Sequence, residues 1–221
     1  MLLKKKTNFI TEKTRKKIVE VSDQKKINLV IFDDGLQDRK INYDIQFVCF
    51  DAQNWIGNGQ LIPAGPLREN LSSLKKYDAI FLKNKSQISN DVIRCIKNHN
   101  NQILIFNTFY KIKNLKNFST SEKYLIFSGI GNPKDFKNLL ITNKLNIVDE
   151  IIFPDHYKYQ NKDIEKIKKR ALDLKAKIIT TEKDYVKIHD KYHDDIDFIQ
   201  IDIEIENEND LINFIERKIN E

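Results

Sequence analysis

The residues best able to do chemistry fall in five short clusters. The first is Asp33-Asp34-Gly35, directly after the apolar run at 29–32. Carboxylates at the carboxyl end of a buried strand are where a phosphoryl-transfer site holds magnesium, directly or through water. An exposed Asp-Gly turn would be written the same way. The second is GNGQLIPAGPLRE at 57–69, where three glycines and two prolines fix a long loop ending in Arg68 and Glu69. A loop of such length without regular structure reads as a binding loop. An arginine fork there suits phosphate, and the neighbouring carboxylate suits a cation.

The third cluster is FPDHY at 153–157, between a strand and a helix. His156 is the one histidine of four in such a setting, and its imidazole can serve as general base or cap the next helix. His99, His189 and His193 stand among charged residues and are expected to be exposed. TTEKD at 180–184 reads as a helix start, with Thr181 and Asp184 in capping spacing, or as a contact for an anion. FSGIGNPKDF at 127–136 reads as strand, glycine turn and helix start, its glycines giving close packing or amides for a phosphate. Four of the chain's six glycines lie between Asp33 and Glu69.

These clusters need a frame, and the spacing predicts one. Strands are expected at 27–32, 45–50, 79–82, 102–106, 124–128, 147–153, 177–181 and 197–203. Helices are expected at 11–24, 89–99, 133–144, 160–174 and 207–219, the fourth with Ile164, Ile167, Ala171 and Leu174 on one face. Alternation of this kind predicts parallel sheets wrapped by helices, an α/β fold. The polar stretch 111–123 is the best boundary, dividing residues 1–115 from a smaller α/β subdomain at 116–221.

The 221 residues carry 38 basic and 32 acidic side chains, a formal charge of +6 and a pI near 9.0. Only six of the cations are arginine, and the lysines are spread along the chain, so the charge reads as a solvated surface and no nucleic-acid partner is expected. No apolar run reaches the ~18 residues of a membrane span, and Met1-Leu2-Leu3 before three lysines lacks a signal peptide's apolar core. A cytosolic chain is expected. Cys49 and Cys95, far apart and without metal-ligand spacing, are expected to be buried.

Taken together, DDGLQD at 33–38, GNGQLIPAGPLRE, GIGNP at 129–133, FPDHY and TTEKD resemble the tetraacyldisaccharide 4'-kinases of lipid A biosynthesis, from about Asn28 to Lys187. The resemblance implies a P-loop-kinase-type parallel sheet. It also implies transfer of the γ-phosphate of ATP, with Mg2+, to the 4'-hydroxyl of a tetraacylated glucosamine disaccharide at the cytosolic face of the inner membrane. By the same resemblance Asp33 and Asp34 are magnesium ligands, and Asp34 and His156 are catalytic, His156 activating the attacking hydroxyl. Arg68 and Glu69 face nucleotide and metal, and Gln37 touches substrate or orders the site.

Leu36 and Asp38 depart from the residues usual in that family's first motif. More consequentially, no G-x-x-x-x-G-K-[ST] occurs in the 221 residues. The expectation is therefore an N-terminally truncated kinase, inactive or nearly so by itself, with the sheet's phosphate-loop strand missing and an apolar edge exposed at 27–32. A non-catalytic α/β module binding lipid or anions is the alternative.

Overall fold

The computed structural model describes residues 9–84 and 89–220. In chain order the elements are α1 (Arg15–Gln24), β1 (Phe47–Asp51), β2 (Ala79–Lys83), α2 (Asn90–His99), β3 (Leu104–Ile112), β4 (Lys123–Ser128), α3 (Pro133–Thr142), β5 (Asn146–Ile152), α4 (Asn161–Leu174), β6 (Lys177–Thr181), α5 (Glu182–Tyr185), β7 (Ile196–Ile199), β8 (Ile201–Ile205) and α6 (Glu208–Asn220). They make an α/β protein with two four-stranded sheets, ordered β1-β2-β3-β8 and β5-β4-β6-β7. Contacts group the described residues up to Phe109, with those from Ile205 onward, into one unit, and Tyr110–Glu204 into another.

In the first unit β1, β2 and β3 run parallel, Phe47 opposite Ala79 and Ala79 opposite Leu104. Strand β2 is apolar on both faces because both are covered. Ile80 and Leu82 pack with Leu74 and with Val92 and Ile96 of α2. Ala79 packs from the other face with Phe106 of β3 and with Leu211 and Phe214 of α6. Each such large side chain contributes roughly 1.5–3 kcal/mol by leaving water. Helix α2 starts where the Ser89 side chain accepts from the Asp91 N–H, and α1 where the Thr14 side chain accepts from that of Lys17.

In the second unit β4 pairs in parallel with β5 and β6, and β6 with β7. The period of two along β4 sends Leu125 and Phe127 toward Ile164, Ile167 and Ala171 of α4. Tyr124 and Ile126 face the other way, toward Phe136 and Leu140 of α3. Because β4, β5 and β6 are parallel, their carboxyl ends share one edge.

Three expectations are corrected. Residues 27–32 are not a strand: no strand pairs with them among the described residues, and Leu29 and Ile31 are 57% and 85% exposed. An apolar run becomes an interior strand only where neighbours take up its amides and helices cover both faces, and here neither happens. The run at 197–203 is two strands, interrupted at Gln200. The Asn114 side chain brackets the break, donating to the Phe198 carbonyl at 2.8 Å and accepting from the Gln200 N–H at 2.9 Å. Helix α6, placed by the sequence reading in a unit spanning 116–221, groups with the first unit because Leu211 and Phe214 complete its core.

Candidate functional site

In the first unit Asp33, Asp34 and Gln37 lie on an exposed turn that begins after residue 32. Asp34 adopts a left-handed backbone, φ +54°, and the turn is tied from outside. Arg15 donates to the Asp34 carbonyl at 2.7 Å and pairs with Asp38 at 3.5 Å, while the Tyr43 hydroxyl donates to the Gly35 carbonyl at 2.9 Å. The Arg68 guanidinium pairs with the Asp34 carboxylate, so the first two clusters meet.

The loop that delivers Arg68 is cross-braced. Ile62 N–H donates to the Leu67 carbonyl at 2.8 Å, Leu67 N–H to that of Gln60 at 3.1 Å, and the Asn58 amide to that of Ala64 at 2.8 Å. Gly65 sits in this brace with no room for a side chain: a Cβ would fall 2.1 Å from Asn58 Oδ1 and 2.5 Å from the Gln60 carbonyl oxygen. Glu69, half-buried, accepts from the Tyr77 hydroxyl at 2.9 Å. Burial first, and the Glu69 carboxylate second, push the Tyr77 phenol up to about 12. A cleft of about 430 Å³ opens beside them, lined by Asp38, Arg39, Tyr43, Glu69, Lys76 and Tyr77 among others.

Among the described residues no three His, Cys, Asp or Glu side chains converge as a metal cage. Two exposed carboxylates nevertheless suit magnesium, which keeps several waters and takes one or two carboxylates together with phosphate oxygens. For Asp34 to serve, it must exchange the Arg68 guanidinium.

In the second unit three clusters that are far apart in sequence reach one edge of one sheet: GIGNP after β4, FPDHY after β5 and TTEKD across the end of β6. Asp184 is the knot between two of them. Fully buried, its carboxylate accepts from the Gly129 N–H at 2.9 Å, the Thr181 hydroxyl at 2.8 Å and Lys187 at 2.8 Å. The Thr181 hydroxyl in turn accepts from the Asp184 N–H at 3.1 Å, the helix start expected from TTEKD. The buried Tyr159 hydroxyl lies near Asp184, and burial first, then that carboxylate, raise its pKa.

His156 projects from this edge, 77% exposed, with φ +60°. Its N–H donates to Asp155 Oδ1 at 2.9 Å, and its Nε2 lies 3.8 Å from Asp155 Oδ2. Lys183 binds Asp155 Oδ1 at 3.2 Å and holds that carboxyl below the usual range.

Sequence motifs do not mark Arg15 and Tyr77, which lie outside them, and they mark Lys183 only as part of TTEKD. Their roles come from partners brought close by folding. Of the other histidines only His189 is exposed; His99 holds the Cys95 carbonyl at 2.9 Å, and the His193 ring stacks on Tyr185 at 4.2 Å. The cysteines are not buried: Cys49 is exposed on edge strand β1 and Cys95 is half-exposed. Packing around the Cys49 sulfur, and then the Asp33 charge, raise its thiol pKa. No helix of the described residues is long and apolar enough to cross a membrane.

The family model described as tetraacyldisaccharide-1-P 4'-kinase matches residues 1–220. The tetraacyldisaccharide 4'-kinase of Pelagibacter ubique is 43% identical over 185 residues, covering 84% of this chain and 59% of that protein. That of Rickettsia typhi is 40% identical over 193 residues, covering 86% and 57%. The crystal structure of the "apo" form of LpxK from Aquifex aeolicus in complex with ATP matches with a TM-score of 0.58 at 22% identity, over 84% of this chain and 56% of that one, a likeness of fold. The chain thus spans a little under 60% of the length of these curated relatives.

Proposed function

Since the chain belongs to the tetraacyldisaccharide-1-P 4'-kinase family, we propose that it forms part of a kinase that transfers the γ-phosphate of ATP to the 4'-hydroxyl of a tetraacylated glucosamine disaccharide, a lipid A precursor, at the cytosolic face of the inner membrane. The observation that carries this reading is the meeting of Asp34 and Arg68, which joins DDGLQD to GNGQLIPAGPLRE in one folded unit. Phosphoryl transfer needs little covalent help and much charge and positioning.

In this reading Asp33 and Asp34 hold magnesium, whose charge would stabilise the phosphate oxygens. Arg68, released from Asp34, presents its fork to phosphate, and Glu69 stays oriented by Tyr77 beside the cleft. Gln37 lies on the same turn and contacts substrate or orders the site. His156 takes the proton of the attacking hydroxyl as general base.

The 221-residue chain contains no G-x-x-x-x-G-K-[ST]. Without the amides and lysine of such a loop the chain alone is expected to turn over little or no substrate. The test is transfer of labelled γ-phosphate to tetraacyldisaccharide 1-phosphate. This chain should be near background, and a polypeptide joining it to a phosphate loop should be active. Ordinary turnover by the chain alone would overturn the first statement, and an inactive joined form that binds ATP and the acylated sugar would favour a binding module.

A further inference from the structure

We propose that Lys183 is a positioning residue for His156, acting through Asp155. The proposal rests on the reading of His156 as general base and adds the device that presents its ring. His156 occupies left-handed backbone, φ +60°, which is uncommon for a side-chain-bearing residue. Two hydrogen bonds hold the turn here. The His156 N–H donates to Asp155 Oδ1, and the Tyr157 N–H donates to the Pro154 carbonyl at 3.2 Å, closing the turn.

Oδ1 of Asp155 is the hinge of this arrangement, because it also receives Lys183 Nζ at 3.2 Å from the end of β6. The titratable groups facing Asp155 are Lys183 and His156. Lys183 sits between Thr181 and Asp184, whose mutual hydrogen bonds fix the backbone that carries it. An ammonium there does two things. It keeps the carboxylate oriented toward the His156 N–H, and it satisfies the negative charge that would otherwise draw the imidazole inward. Asp155 Oδ2 accordingly stands 3.8 Å from Nε2, beyond hydrogen-bond distance, and that nitrogen stays available to a substrate hydroxyl.

Asp155 and Lys183 are both partly exposed, so removing the pair should leave the fold intact. The test is NMR on the 221-residue chain as wild type, Lys183→Met and Lys183→Arg. In the wild type the Asp155 carboxyl titrates below the ordinary carboxylate range, the His156 amide proton follows that titration, and a strong intraresidue N–H to Hα NOE at His156 reports the left-handed conformer. Lys183→Met should raise the Asp155 pKa toward the ordinary range and weaken that NOE, while Lys183→Arg should keep both signatures. Unchanged His156 signals in Lys183→Met would overturn the proposal, as would loss of both in Lys183→Arg with the rest of the spectrum preserved. The base reading is tested apart from this, by turnover of a His156→Ala variant of the joined polypeptide, so either statement can fail without the other.

Discussion

Arg68 and Asp34, 34 residues apart in sequence, form an ion pair at the surface of the first unit, so the arginine proposed for phosphate occupies a carboxylate proposed for magnesium. On that proposal the two cations compete for one acceptor, and binding of metal and nucleotide would have to reorganise the pair.

Removing Arg68 should therefore help the metal while harming transfer. An exposed pair is worth roughly 0.2–1 kcal/mol, so Arg68→Met should tighten Mn2+ binding to the chain by a factor of about 1.4 to 5, read by paramagnetic relaxation of water. Asp34→Asn should weaken it. Equal Mn2+ affinity in wild type and Arg68→Met would separate Asp34 from the metal.

His156→Ala, in a polypeptide joining this chain to a phosphate loop, should lower kcat on the order of 10² to 10⁴ with the KM for ATP little changed, as loss of a general base does. An unchanged kcat would make His156 a structural residue of the β5 exit.

Asp184→Ala leaves Lys187, the Gly129 N–H and the Thr181 hydroxyl without their common acceptor. Breaking a buried charged cluster from one side costs about 3–5 kcal/mol. Thermal unfolding should show the second unit melting well below its wild-type midpoint, with Asp184→Asn intermediate. A loss within the ordinary surface range would show that the carboxylate is not what ties the β4 and β6 ends.

Tyr77 gives a pH signature. Its folded pKa of about 12 lies above the ordinary phenol value, so its contribution to stability is complete below about pH 10 and is lost as pH rises toward 12. Chemical denaturation between pH 9 and pH 11.5 should show a decline that Tyr77→Phe reduces, and the Phe variant should be less stable at pH 8 by about 1 kcal/mol. Parallel pH dependence in both proteins would show that Tyr77 is not the group whose titration weakens the fold.

Gly65→Ala tests the loop brace. The added methyl has backbone and Asn58 in its way, and overpacking of this kind costs roughly 1–3 kcal/mol. The loop should become a site of limited proteolysis and the Arg68→Met effect on Mn2+ should vanish, because Arg68 no longer reaches Asp34. A loop as protease-resistant as wild type would show that the brace tolerates rearrangement.

What the sequence determined by itself was local. Most strands and helices lie within a few residues of where periodicity and caps put them, because Ser89, Thr181 or an Ile-Ile-Thr-Thr run acts over one turn or one strand. The five clusters were legible for the same reason: each is a contiguous string. Tertiary structure decided the rest. Whether 27–32 becomes a strand depends on neighbours and covering helices, which no property of Leu29 or Ile31 encodes. Whether 197–203 is one strand or two depends on Asn114, distant in sequence but within 3 Å of the break. The partners of Asp34, Glu69 and Asp155 are Arg68, Tyr77 and Lys183, and charge strength and direction depend on distances set only when loops from different strand ends are packed together.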